Sequence, residues 1–403
     1  MRVLMISDVY FPRVNGVSTA IQTYRQALAG HGVEVRLVAP DYGNDCREPW
    51  ISRVASRQVP RDPEDRLVRW RAMRTAVDSA IARGCDLIHV QTPFLAHYAA
   101  QAAARRAKLP VIATYHTLFE EYLQHYAPMV PASWLRGMAR RFSRSQCNAL
   151  SAVIVPSQAI YQRLSAYGVT TPLHILPTGI PLAQFNQHVG NPHVGNQPAR
   201  QFDAASREGF RARHGIGRTR PVALFVGRVA HEKNILFLLD AVDLARRSLP
   251  ELLLLIAGEG PALTALRTAV LSRGLEANVQ FLGYLDRRSE LPDCYAAADV
   301  FAFASRTETQ GLVLLEAMAA GLPVVALAAM GTVDILGPRR GALVPEDSPA
   351  AFAHEMVRLL GDQDLRTHLA SEGRIYAREW SDETLAGRMA NLYRQIHAQR
   401  SAA

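Results

Sequence analysis

Two glutamates, Glu308 and Glu316, stand with seven residues between them in TETQGLVLLEAMAAGLPVV, residues 307–325. A helix beginning near Gly311 puts Glu308 on the preceding loop and Glu316 inside the helix. Both then reach one elongated ligand. The N–H groups of Gln310, Gly311, Leu312 and Val313 would point at its phosphates, because a helix start carries unpaired donors and a positive dipole end. Glu316 also reads as a plain helix carboxylate, but a carboxylate in so apolar a run needs a polar partner. A second group lies in Gly227-Arg228-Val229-Ala230-His231-Glu232-Lys233. Two cations five residues apart on a strand-to-helix loop converge on a diphosphate, Arg as a fork of donors and Lys as a point charge. The alternative is a basic loop that merely caps a sheet. The chain holds 45 basic residues, of which only Lys108 and Lys233 are lysine, so lysine at 233 is a choice. His116 closes the run VIATYH, and Gly16 follows the first apolar run in Asn15-Gly16-Val17-Ser18-Thr19. Gly16 lets a ligand approach the backbone of a helix expected to begin near Ser18. An Asn-Gly turn with a Ser/Thr cap is the other reading.

These residues need strands to hold them. Short Val- and Ile-rich runs occur at 2–7, 33–39, 87–91, 111–116, 152–157 and 174–179. They resume at 222–227, 252–258, 279–284, 300–305, 323–328 and 341–346. Runs of this length, alternating with helix-patterned stretches, are what strands buried on both faces of a parallel sheet look like. The chain therefore reads as α/β: two doubly wound, Rossmann-like domains, at 1–180 and 218–375, facing a central cleft. Between them, 181–217 is rich in Gly, Pro, Asn and His and repeats HVGN at 188–191 and 193–196. It reads as an exposed linker, a histidine metal site being the sharper alternative. Residues 376–403 read as a terminal helix. Doubly wound sheets bind ligands beyond the carboxyl ends of their strands, where all four candidate groups fall.

The 403 residues are 49% hydrophobic and 20% charged, a globular balance with a formal charge of +9. Basicity so dilute argues against a nucleic-acid protein. Cys46, Cys85, Cys147 and Cys294 have no metal-ligand spacing. Their scarcity fits a reducing compartment, and neither a signal peptide nor a spanning segment is expected. Dinucleotide binding is poorly supported: GEGPAL at 258–263 has Leu263 where the third glycine belongs. A P-loop, a GxSxG elbow and HExxH are absent. Asp362-Gln363-Asp364 follows the helical run MVRLLG and reads as a surface turn.

GRVAHEK, TETQGLVLLEAMAAGLPVV and FPRVNGVST together resemble the retaining glycosyltransferases of family four, which have the GT-B fold. The resemblance covers the chain apart from the linker. It implies a nucleotide-sugar donor held mainly by the C-terminal domain, with no metal required. Arg228 and Lys233 would bind the donor diphosphate and stabilise the leaving group. Glu308 would hydrogen-bond donor-sugar hydroxyls and Glu316 the ribose hydroxyls. Gly16 would approach the phosphate across the cleft, and His116 would lie near the donor sugar. Base contacts would fall near Gly258, Tyr284 and Leu285, and the final helix would cross back to the N-terminal domain.

TYHTLFEEYLQHYAP (114–128) and TETQGL (307–312) are most similar to transferases that glycosylate diacylglycerol and to their sulfoquinovosyl relatives. That implies UDP-glucose as donor and a lipid acceptor at the cytoplasmic membrane face. A soluble saccharide, a lipid-linked envelope precursor or GDP-mannose-dependent mannosyl transfer stays open, and the sequence is silent on oligomeric state. In SWLRGMARRFSRSQ (133–146), Arg136, Arg140, Arg141 and Arg144 share one arc of a helix. Trp134, Leu135, Met138 and Phe142 lie roughly opposite. Such a helix suits an anionic membrane surface; it equally suits an internal helix with its arginines in water.

Overall fold

The computed structural model describes residues 1–13, 15–43, 48–59, 62–116, 132–185, 204–287 and 289–401. The chain divides into two units, Met1–Gly179 with Asp382–Ala403, and Ile180–Ser381.

In the first unit seven parallel strands lie in the order β3-β2-β1-β6-β7-β8-β9. They are β1 (Arg2–Ile6), β2 (Glu34–Pro40), β3 (Ile51–Val54), β6 (Leu87–Val90), β7 (Val111–Thr114), β8 (Ala152–Val155) and β9 (Leu173–Ile175). The central strands are buried on both faces, which is why they read as unbroken apolar runs. One face packs Val3, Met5, Leu37 and Ile112 against Ile21, Tyr24 and Leu28 of the helix Gly16–Ala29 and Met389, Ala390 and Tyr393 of the helix Asp382–Ser401. The other face packs Leu4, Ile6, Ile88 and Val90 against Met73, Val77 and the small side chains Ala96, Ala99, Ala100 and Ala103. A short antiparallel pair, β4 (Ser56–Val59) and β5 (Asp62–Val68), follows β3. Nothing between residues 39 and 87 is expected as a strand from sequence. Segments β3 to β5 escape that reading because their sequences, ISRV, SRQV and DPEDRLV, are rich in polar residues and carry no apolar run.

In the second unit six parallel strands lie in the order β12-β11-β10-β13-β14-β15. They are β10 (Val222–Val226), β11 (Leu253–Ala257), β12 (Val279–Gly283), β13 (Val300–Phe303), β14 (Val324–Ala326) and β15 (Ala342–Leu343). The chain moves outward one way from β10 to β11 and the other way to β13, so the topological switch point lies between β10 and β13.

The expected linker 181–217 is corrected on both sides of its low-complexity centre. The helices Leu182–Phe185 and Ala204–Arg213 belong to the second unit, with Phe185, Phe210, Arg211 and Ile216 in its interior. Arg211 is 1% exposed. Its guanidinium donates to the carbonyls of Ala297, Gly217, Arg218 and Arg220 and pairs with Asp299 at 3.0 Å. Composition marks such a residue as solvated; only its partners make its burial tolerable. The HVGN repeat lies outside the described residues. Residues 376–381 belong to the second unit, and the helix Asp382–Ser401 belongs to the first.

Candidate functional site

The loop after β10 and the loop after β13 meet at the switch point of the second sheet. Lys233 ends a 3-10 turn, His231–Lys233, and Asn234 follows it with φ +56° before the helix Ile235–Ala245. The Asn234 amide donates to the Ala304 carbonyl at 3.0 Å, and the Ser305 hydroxyl donates to the Glu232 carbonyl at 3.2 Å. These bonds stitch the Lys233 turn to the end of β13 and bring the Lys233 ammonium into contact with Glu308 Oε1. The Glu308 loop is fixed from behind. Gly331 N–H donates to the Glu308 carbonyl at 2.8 Å, and a Cβ on Gly331 would come within 2.0 Å of the Thr309 carbonyl oxygen. Arg228 is half-buried; its Nε is buried and has no hydrogen-bond partner among the described residues. An unpaired buried guanidinium N–H costs free energy unless a ligand accepts from it.

Gly311, at φ +97°, starts the helix Leu312–Ala319, and no side chain caps it. Gln310 is buried beside it, and Leu312 and Val313 are half-buried. Gly258 follows β11 at φ +137°, and a Cβ there would come within 1.9 Å of the Gly227 carbonyl oxygen. Its glycine is required by the crossing of these two loops. Gly258 N–H donates to Gly283 O at 2.8 Å, which places Gly258 beside the loop carrying exposed Tyr284 and buried Leu285.

Glu316, 2% exposed, has its polar partners. Its Oε1 accepts from Arg287 at 2.5 Å and its Oε2 from the Tyr295 hydroxyl at 3.1 Å. Burial acts to lower the Arg287 guanidinium, but the pair with Glu316 outweighs it and leaves it raised. Burial pushes the Tyr295 phenol up, so it stays a donor. The expectation that a carboxylate in LVLLEAMA needs a partner is met; Arg287 itself is not named by any motif. Glu308 and Glu316 therefore face different cations, Lys233 and Arg287.

In the first unit His116 follows β7, and its Nε2–H donates to Gln91 Oε1 at 2.9 Å. The Gln91 Nε2 is buried with no hydrogen-bond partner among the described residues. Beneath it, His89 lies between Tyr393 and Thr114 at 2.7 Å each. Asp8, after β1, accepts from Thr92 at 2.7 Å and from Ala96 N–H at 3.1 Å, closing the start of the helix Leu95–Ala107. Gln91, His89 and Asp8 are absent from the motif reading, since a lone Gln, His or Asp at a strand end carries no spacing. Gly16 is the first residue of its helix, and the cap is Asn15, whose Oδ1 accepts from Ser18 N–H at 2.8 Å. The helix thus starts two residues before the expected point, because Asn15 reaches that donor first. A Cβ on Gly16 would meet nothing within 4 Å. Packing does not require glycine there. Gly16→Ala is expected to leave the melting temperature within about 2 °C, since Ala favours helix interiors. If that open space admits a ligand, Gly16→Ala weakens ligand binding at least about tenfold in a calorimetric titration, a loss of roughly 1.4 kcal/mol.

Burial depresses His89 to about 3, and His97 and His116 to about 4. Between those values and 6.5 the unfolded chain binds protons that the native state refuses. This stability is complete above pH 6.5 and is lost as pH falls toward 4. Asp8 and Asp382, each raised to about 6 by burial, act oppositely between 3.8 and 6. All five lie in the first unit, and the three imidazoles outweigh the two carboxyls. Calorimetry should find the first unit melting roughly 5–10 °C lower at pH 4.5 than at pH 7; an unchanged transition would contradict the burial of these imidazoles.

Among the described residues no group of three or more His, Cys, Asp or Glu is placed to hold a metal ion. Asp362 is a helix cap, its Oδ1 accepting from Leu365 N–H at 2.9 Å.

Two family models match the chain. The one described as Glycosyltransferase Family 4 matches residues 14–184, and that for glycosyl transferases group 1 matches residues 206–376. The alpha-monoglucosyldiacylglycerol synthase of Streptococcus pneumoniae is 31% identical over 98% of this chain and 85% of its own length. A GDP-mannose-dependent alpha-mannosyltransferase of Mycobacterium tuberculosis is 29% identical over 94% of this chain and 93% of its own. Among solved structures, sucrose-phosphate synthase from Thermosynechococcus elongatus superposes with a TM-score of 0.77 at 22% identity, covering 99% of each chain. The two parallel sheets, each with helices on both faces, are those of the GT-B fold, whose glycosyltransferases take nucleotide-sugar donors. The chain belongs to glycosyltransferase family four and is a glycosyltransferase of the GT-B fold.

Proposed function

We propose that this enzyme moves a hexose, with retention and without a metal, from a nucleoside diphosphate sugar to a lipid acceptor such as diacylglycerol. UDP-glucose is the favoured donor. The observation that carries the reading is the pair of cations on the loop after β10: Arg228, whose buried Nε has no partner among the described residues, and Lys233, which meets Glu308 at the switch point. Transfer breaks the bond from the sugar to the diphosphate, so negative charge grows on the leaving oxygen. Two preplaced cations stabilise that charge most in the transition state. Donor binding gives Lys233 a second anion to share with Glu308, whose other oxygen is left for sugar hydroxyls. The acceptor hydroxyl attacks from the face the diphosphate leaves, and its proton passes to a phosphate oxygen. Glucose and diacylglycerol are supported by the name of the pneumococcal relative.

The helix Ala132–Cys147 supports a membrane contact. Leu135, Ala139, Ser143 and Gln146 form its buried stripe, leaving Trp134 72% and Met138 51% exposed. Arg136, Arg140, Arg141 and Arg144 are all exposed around them. The expected apolar arc is thus split: Leu135 and half-buried Phe142 face the protein, Trp134 and Met138 face outward among arginines. Exposed Trp flanked by cations suits an anionic bilayer interface at the cytoplasmic face. No helix of the described residues is long and apolar enough to cross a membrane. Changing the four arginines to Gln should weaken binding to vesicles containing phosphatidylglycerol about a hundredfold or more, at roughly 1 kcal/mol per cation. Unchanged flotation would remove the membrane role of this helix.

Nucleotide release from UDP- and GDP-sugars, in EDTA, with and without diacylglycerol in anionic vesicles, tests the whole reading. Release that needs both UDP-glucose and the lipid is expected. Turnover of GDP-mannose instead would place the enzyme with the mannosyltransferases, and turnover on soluble saccharides alone would discard the lipid acceptor.

A further inference from the structure

Two polar cross-strand contacts stand one above the other at the carboxyl ends of β6 and β7, which pair in parallel. His89 reaches Thr114 at 2.7 Å, and Gln91 reaches His116 at 2.9 Å. Residues two apart along a strand share a face, so the second contact repeats the first one step nearer the strand ends. His89 is fully buried and is met from the other side by the Tyr393 hydroxyl of the helix Asp382–Ser401, at 2.7 Å. Gln91 N–H donates to the Ile6 carbonyl at 2.9 Å, which ties the Gln91 backbone to β1.

Gln91 is a costly residue to bury at this point. It is 2% exposed, and its Nε2 has no hydrogen-bond partner among the described residues. A leucine would fill a similar volume and leave no donor orphaned. Among the described residues the one bond of the Gln91 side chain is the bond to His116. His116 is half-buried, and burial depresses it to about 4, so near pH 7 its ring is neutral and carries a single N–H. With that proton on Nε2, Nδ1 is the acceptor nitrogen of the ring.

We infer that Gln91 is a positioning residue for His116: its amide oxygen holds the imidazole proton on Nε2 and makes Nδ1 the acceptor nitrogen during transfer. The His89–Thr114 contact, backed by Tyr393, fixes the two strand ends from which Gln91 and His116 extend. The use of His116 in transfer rests on the reading above; its tautomer does not.

The test labels the histidine ring nitrogens of the full chain and follows them by NMR at pH 7. The His116 signals are those absent from His116→Gln. His116 should show a protonated Nε2 and an unprotonated Nδ1. Gln91→Leu should move the tautomer ratio about tenfold toward the Nδ1–H form, the effect of one hydrogen bond. Gln91→Glu keeps an acceptor oxygen and should keep Nε2 protonated. A purely structural Gln91 would change the melting temperature and leave the ratio alone. In nucleotide release, Gln91→Leu should lower kcat about tenfold and leave the donor KM within about twofold. A parent chain with His116 protonated on Nδ1 overturns the assignment before any variant is made. So does a ratio unchanged by Gln91→Leu, or a shifted ratio with kcat unchanged. No release from the parent chain, with the ratio still shifted in Gln91→Leu, sinks the transfer reading and spares the hold of Gln91 on the ring.

Discussion

Replacing Lys233 by Met is expected to lower the rate of nucleotide release about 10²–10³-fold, the loss typical when one preorganised donor to a developing anion is removed. The loss should fall on kcat, because the charge it serves grows only as the sugar–phosphate bond breaks. Lys233→Arg should recover little, since a planar fork does not replace a point charge at a turn this tightly stitched. Stability should change by less than about 1 kcal/mol, because the Lys233–Glu308 pair is part-exposed, at 22% and 16%. Arg228→Gln makes the complementary point. It removes a buried donor that none of the described residues satisfies, so the fold should be as stable or slightly more so while turnover falls. Single-turnover release and calorimetry on the two variants check both halves. Retained turnover in Lys233→Met would remove the lysine from the chemistry.

The residues legible in the sequence are those whose backbone is constrained as well as their side chain. Gly227, Gly258 and Gly311 all sit at positive φ where loops cross or a helix starts, and each follows an apolar run that could only be a buried strand. Arg228, Lys233, Glu308 and Glu316 are tied to those runs by short, fixed distances along the chain, so reading the strands placed the charges. What was not legible depends on approach between distant segments. Arg287 meets Glu316 across 29 residues, and Tyr295 across 21. Gln91 meets His116 only because β6 and β7 are neighbours in the sheet. The hairpin of β4 and β5 has neither periodicity nor turn motif strong enough to announce it. The helix Ala204–Arg213 looked like linker because its buried arginine is held by carbonyls, which leave no mark in composition.

That dependence on approach makes Arg287 a sharper probe than any motif residue. Arg287→Leu leaves the buried carboxylate of Glu316, 2% exposed, with only the Tyr295 hydroxyl as a partner among the described residues. Removing one partner of a buried pair costs about 3–5 kcal/mol, because the remaining charge stays desolvated. Replacing both by neutral groups should cost far less. Arg287→Leu with Glu316→Gln is therefore expected to regain most of the stability lost by Arg287→Leu alone, a coupling of about 2–3 kcal/mol in a double-mutant cycle read by urea unfolding. Function should not follow stability. If Glu316 holds ribose hydroxyls of the donor, the double variant folds well and still binds donor weakly, because a Gln in its place keeps only one acceptor oxygen. The single variant Glu316→Gln, with Arg287 still present as a donor, should lose donor affinity with a smaller loss of stability. Donor affinity that tracked stability across all three variants would make Glu316 a packing carboxylate and leave Glu308 as the glutamate that meets the sugar.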